Sequence, residues 1–176
     1  MNTQLLLDAL QRSATAEWMR GTSAGQMVEA THVVAAVLLF GIVLVVDLRL
    51  LGLADANRAF TRISRETLPL VWLAFVVSVI TGSLMFAASA HTYFANTAFR
   101  LKAVALLGAG LNMLLFQRVT GRHVADWDDR RAAPRAARLA GLLSVVLWAS
   151  VVLLGRWIGF TKGYDFTIPS GLEFGF

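Results

Sequence analysis

Cysteine is missing from this 176-residue chain, so disulfides, thiolate metal sites and cysteine nucleophiles are excluded at once. Charge is scarce as well. Only 15% of the residues are Asp, Glu, Lys or Arg, where a soluble domain carries about a quarter. No glycine-flanked serine comes with a partner histidine, and no glycine-rich phosphate loop follows a strand pattern. Those absences speak against hydrolytic and phosphate-cradling enzymes, and no catalytic residue is assigned. The first twenty residues also lack the basic start and apolar block of a cleavable leader; Asp8, Arg12, Glu17 and Arg20 are spread through them.

What the chain has in quantity is apolar sequence: 57% hydrophobic residues and a mean hydropathy of +0.63. Four runs approach the roughly 20 apolar residues that a bilayer-spanning helix needs. The expected organisation is all-α: an antiparallel four-helix transmembrane bundle forming a single membrane domain over 1–176, with spans at 28–48, 68–90, 99–118 and 138–160. Leu6, Leu7, Leu10, Ala14 and Trp18 recur at helical spacing and predict one N-terminal amphipathic, interfacial helix over 3–20. An aromatic outer tail, 161–176, is expected to dock on a partner or fold back over the bundle.

Ten Lys and Arg residues fall in the two loops after spans one and three, against six on the opposite side. Basic residues are retained on the cytoplasmic side, which predicts a multi-pass protein of the bacterial inner membrane with both termini outside the cytoplasm. The pI near 10.7 then reflects topology and attraction to the lipid bilayer. Nucleic acid is not an expected partner, because the arginines are accompanied by Asp126, Asp128 and Asp129 and lack stacking aromatics beyond Trp127.

Each span shows a face suited to helix contact. Span two carries Ser78, Thr81, Gly82, Met85 and Ser89, and span four carries Gly141, Ser144, Gly155 and Gly159; small residues let membrane helices approach closely. In span one, Glu29 and His32 are three apart and share a face, to which Asp47 returns after five turns. Asp47-Leu-Arg49 reads as a helix-end ion pair.

Glu29-Ala-Thr-His32 with Asp47-Leu-Arg-Leu-Leu-Gly52 resembles the start of an uncharacterised family of small bacterial inner-membrane proteins, a domain of unknown function. Asn96 with Ala98-Phe-Arg-Leu-Lys102, Leu111-Asn112, Trp127-Asp128, Ala136-Ala-Arg138, Leu147-Trp148 and Gly155-Arg-Trp-Ile158 continue the likeness in order. It implies four membrane helices and no established activity. Thr97 stands where proline is expected and Gln117 where histidine is expected. More distantly, His32 and Leu101-Lys102 make the layout similar to the membrane domain of copper-resistance protein D and to four-helix b-type cytochromes.

Glu29, His32, His91, Arg100, Lys102 and Arg156 all fall at one membrane face, and ionisable groups inside a bilayer are costly enough to mark a site. Three readings share these residues. In the first, His32 and His91 ligate haem b, Arg100, Lys102 and Arg156 meet its propionates and Trp157 helps wall the slot, giving an electron-transfer module; single ligation through His32 is the fallback. In the second, Glu29, His32 and His91 bind copper or another metal ion for binding or transport. In the third no cofactor is bound: the histidines are packing or capping residues, and the protein is a structural subunit of a membrane complex or a homo-oligomer.

Overall fold

A computed structural model describes residues 3–54, 58–128 and 133–161. Its order is α1 (Thr3–Gln11), α2 (Ala14–Gly21), α3 (Ala24–Leu51), α4 (Phe60–Ala88), α5 (Ala90–Ala95), α6 (Thr97–Val119), a 3-10 turn (Gly121–Asp126) and α7 (Arg135–Thr161). The aromatic tail beyond Thr161 lies outside the described residues.

α3, α4, α6 and α7 are long and apolar enough to cross a membrane. At 1.5 Å per residue even the shortest, the 23-residue α6, is about 35 Å long, against about 30 Å of hydrocarbon. Their outward faces carry Val33, Val37, Leu73, Ile80, Leu107 and Leu153, all more than half exposed. Such surfaces need lipid around them. α4 starts eight residues ahead of the expected span, because the polar stretch Phe60–Thr67 continues the helix beyond the hydrocarbon.

The N-terminal segment is two helices, not one. Ser13 interrupts it: its hydroxyl accepts from the Ala16 N–H at 3.2 Å and caps α2. The buried side chains there are Leu7, Ala16 and Met19, whereas Leu6, Leu10 and Trp18 face outward. Both helices lie on the bundle: α1 against α5 and α4, α2 against α4 and α3.

Named contacts fix the helix pairing. His32, early in α3, meets Ser78 and Thr81 late in α4, while Leu50 packs with Phe60 at the other ends; α3 and α4 therefore run in opposite directions. α6 and α7 do the same, with Asn112 Nδ2 donating to Ala140 O at 2.9 Å, Gly108 beside Leu147 and Lys102 beside Gly155. α3 and α7 close the third side where Gly141 lies under Leu50 and the Asp47 carbonyl; a methyl at Gly141 would come within 3.1 Å of Leu50 Cβ. α4 and α6 share at most a marginal contact, so the fourth side of the bundle is a seam.

The arginine-rich end is locked by polar groups. Gly52, with φ 75°, ends α3 and returns its N–H to Arg49 O. Arg49 is wholly buried; its Nε donates to Arg58 O at 2.7 Å and its Nη2 to Asp128 O at 3.3 Å. The Asp128 carboxylate accepts from the Thr61 N–H at 2.8 Å and from the Thr61 hydroxyl. Trp127 lies over Phe60, their rings 5.3 Å apart. The expected Asp47–Arg49 pair does not form. Residues two apart on a helix point to opposite sides, so Asp47 turns to Ser144 of α7 and Arg49 to the loops.

Candidate functional site

His32 sits about 12 Å along α3 from its start, counted at 1.5 Å per residue. Its Nδ1 is 3.0 Å from Ser78 O and 3.0 Å from Thr81 Oγ1. A carbonyl oxygen can only accept, and the Thr81 hydroxyl proton is committed to Val77 O at 2.6 Å. The proton of the neutral ring therefore belongs on Nδ1, and the lone pair on Nε2. Nε2 makes no hydrogen bond among the described residues. The ring lies against Gly82, where a Cβ would come within 3.1 Å of Cε1. Thus the small, hydroxyl-bearing stripe of span two is more than a packing face: it orients the imidazole.

Lys102, on the second turn of α6, is half-buried and extends across Gly155 of α7; its Nζ would lie 3.2 Å from a Cβ there. No carboxylate pairs with it among the described residues. Lys102 and Glu29 are both near enough to His32 for their charges to act on it. Glu29 is exposed and lines a cleft of about 250 Å³ with Met19, Arg20, Gln26 and Met85, between α2 and the ends of α3 and α4. Arg20 fastens α2 above the bundle by donating to Ala88 O at 2.7 Å and Gln11 O at 2.8 Å. All four long helices thus contribute to one layer: His32, Ser78 with Thr81 and Gly82, Lys102, and Gly155.

The remaining expected site residues go elsewhere. His91, on α5, places Nε2 2.8 Å from Asp8 Oδ1 of α1. A carboxylate only accepts, so that nitrogen carries a proton, and the bond ties the ring to α1. Arg100 donates to Phe94 O at 3.0 Å and lies over the Phe94 ring; Arg156 lies 4.6 Å over the Phe160 ring. Trp157 is 62% exposed, the position of an interfacial aromatic and not of a pocket wall. Phe86 and Phe99, by contrast, stack at 5.4 Å and 17° across the α4–α6 seam, with Tyr93 beside them. Among the described residues no three His, Asp or Glu side chains gather as a metal ion would require; Glu29 and His32 are neighbours, and His91 is held by α1.

Sequence reading had missed three partners: Asp8 for His91, Gly155 for Lys102 and the Ser78 carbonyl for His32. The first two pairs lie more than fifty residues apart along the chain, and a backbone carbonyl has no sequence signature. Only the stripe around Gly82 was a usable signal.

No curated protein and no solved structure matches the chain, so the likeness to copper-resistance protein D and to b-type cytochromes finds no counterpart there. A family model does match, over residues 18–161, from the exposed Trp18 of α2 to the end of α7. The chain therefore belongs to a family of unknown function, DUF6644.

Proposed function

We propose that this multi-pass membrane protein is an electron-transfer module that holds haem b through His32 alone, in the half of the bundle that contains Lys102. The observation that carries the reading is the commitment of His32 Nδ1 to Ser78 O, which leaves the Nε2 lone pair as a fixed donor. Metal-ligating histidines commonly donate their second ring N–H to a carbonyl in this way, which sets the tautomer and raises ligand basicity. The reading takes one imidazole ligand rather than the His32–His91 pair, because His91 stands on α5 against Asp8 of α1 with 40% of its side chain exposed, and no contact among the described residues brings it to the His32 layer.

The bound group would supply one-electron chemistry. The chain's own residues supply the setting. Ser78 and Thr81 hold the ring, Gly82 leaves it room, and Lys102 offers an uncommitted cation for a propionate. Phe86 and Phe99 form an apolar wall on the seam side that limits water. Retention of basic residues in the cytoplasm supports the bacterial inner membrane as the location, with both termini and the His32 layer toward the outside.

The visible spectrum of the purified full chain tests the reading. A Soret band is expected, absent in His32→Ala and kept in His91→Ala. A protein that stays colourless after haem loading, or one in which His91→Ala abolishes the band as fully as His32→Ala, overturns it.

A further inference from the structure

One ionisable group inside the bundle belongs to neither the His32 layer nor the arginine-rich lock. Asp47 of α3 is 5% exposed and is the one buried carboxyl among the described residues. It faces α7, where the buried Ser144 bonds its side chain. Its Oδ2 has no hydrogen-bond partner, so Ser144 meets Oδ1. The helices are in close contact here. A Cβ on Gly141, one turn before Ser144, would stand 3.3 Å from the Asp47 carbonyl oxygen and 3.1 Å from Leu50 Cβ.

No cation balances this carboxyl. On its own helix, Arg49 turns to Arg58 O and Asp128 O. On α4, Arg62 and Glu66 are exposed and paired with each other, and Arg65 is exposed. On α7, Arg135 and Arg138 are exposed as well, and α2 packs at the opposite end of α3. Ser144 is the one polar contact of Asp47 among the described residues.

An ionised carboxylate presents two charged oxygens with about four acceptor sites. At this position one of those oxygens would be charged, buried and unbonded, which costs far more than an unpaired neutral atom. A metal ion needs several oxygen donors around it, and Asp47 with Ser144 is too sparse a set. A carboxylic acid fits. Its O–H donates to Ser144 Oγ, and Oδ2 becomes a neutral carbonyl oxygen, the kind of atom that folded proteins most readily leave under-satisfied.

We infer that Asp47 is a proton-binding site at the α3–α7 contact. With the proton bound, the two helices close on a neutral acid. On release the O–H bond breaks, its electron pair stays on Oδ1 and the proton passes to water; the charge left behind opens the contact. Asp47 lies about 22 Å along α3 from His32, counted at 1.5 Å per residue, so the site is independent of any cofactor there.

Infrared spectroscopy of the full chain labelled with ¹³C-carboxyl aspartate, in one detergent, tests the inference. At neutral pH the parent should show the carbonyl stretch of an undissociated carboxyl, lost in Asp47→Asn and shifted in Ser144→Ala, where the acid loses its acceptor. Raising the pH should remove the band and speed hydrogen exchange of the α3 and α7 amides beside Gly141. Asp47→Asn, which stays neutral, should show no such acceleration. A parent whose aspartates are all ionised at neutral pH overturns the inference without recourse to a variant. So does a band that survives in Asp47→Asn or stays unmoved in Ser144→Ala, or exchange that ignores the loss of the band. A band abolished by added sodium at constant pH marks a metal-ion site instead and overturns it equally.

Discussion

Gly82→Ala is a small change with a worked consequence. An added Cβ would lie 3.1 Å from His32 Cε1, whereas carbon atoms pack best at about 3.5–4.0 Å. The ring must retreat by about 0.4 Å or more. Its Nδ1 already stands 3.0 Å from both Ser78 O and Thr81 Oγ1, so retreat takes those contacts past the normal range of about 2.7–3.2 Å. Weakening them costs about 1 kcal/mol, and overpacking adds about 1–3 kcal/mol. Against this, alanine is favoured over glycine inside a helix by about 1 kcal/mol. The net expectation is destabilisation by about 1–3 kcal/mol, or a fall of about 2–12 °C in unfolding temperature for a chain of this size. Gly41→Ala and Gly110→Ala provide the contrast, since a Cβ at either meets nothing within 4 Å; both should be neutral or stabilising. The assay is thermal unfolding of the three variants in one detergent, with the ¹⁵N signal of His32 Nδ1 as a second readout. If Gly82→Ala is as stable as Gly110→Ala and leaves that signal in place, the imidazole is not seated as described.

Two further outcomes follow from the arginine-rich end. Arg49→Lys should cost about 2 kcal/mol or more in chemical or thermal unfolding, because an ammonium cannot reproduce the buried fork to Arg58 O and Asp128 O; a variant within about 0.5 kcal/mol of the parent would contradict the lock. For Asp128, burial opposes ionisation, but the hydrogen bonds from the Thr61 side chain and from the Thr61 and Phe60 backbone, with the Arg49 charge, outweigh it and hold the carboxyl below its ordinary value. A depressed folded-state value means that the stabilisation is present above about pH 4 and is lost as the pH falls through that depressed value. Unfolding temperature measured from pH 6 downward should therefore fall more steeply in the parent than in Asp128→Asn, and superimposable curves would refute the assignment.

The motif residues of the family resemblance divide between two jobs. Asp47, Arg49, Gly52, Trp127 and Asp128 build or flank the lock, while His32, Lys102 and Gly155 share the layer at the other end. Sequence spacing placed Glu29 and His32 on one face correctly, because three residues are nearly one turn. It misjudged the Asp47–Arg49 pair, because adjacency along the chain is not adjacency around a helix. It also gathered Arg100, Arg156, Trp157 and His91 about His32, because it fixed their depth in the membrane and not their azimuth. Arg100 and Arg156 instead lie over Phe94 and Phe160, and His91 is drawn to Asp8.

The one-dimensional pattern by itself determined that four helices would be long enough and apolar enough for a bilayer, since hydrocarbon accepts a backbone only when its polar groups are satisfied within the segment. It determined the helical class and the depth of each polar group, because rise per residue is constant. Which way those groups turn was decided only by tertiary packing. The direction of the His32 ring depends on a carbonyl forty-six residues away, and the seat of Lys102 on a glycine of another helix. Contacts of that kind arise from the order in which helices pack, and no periodicity within one helix encodes its neighbour.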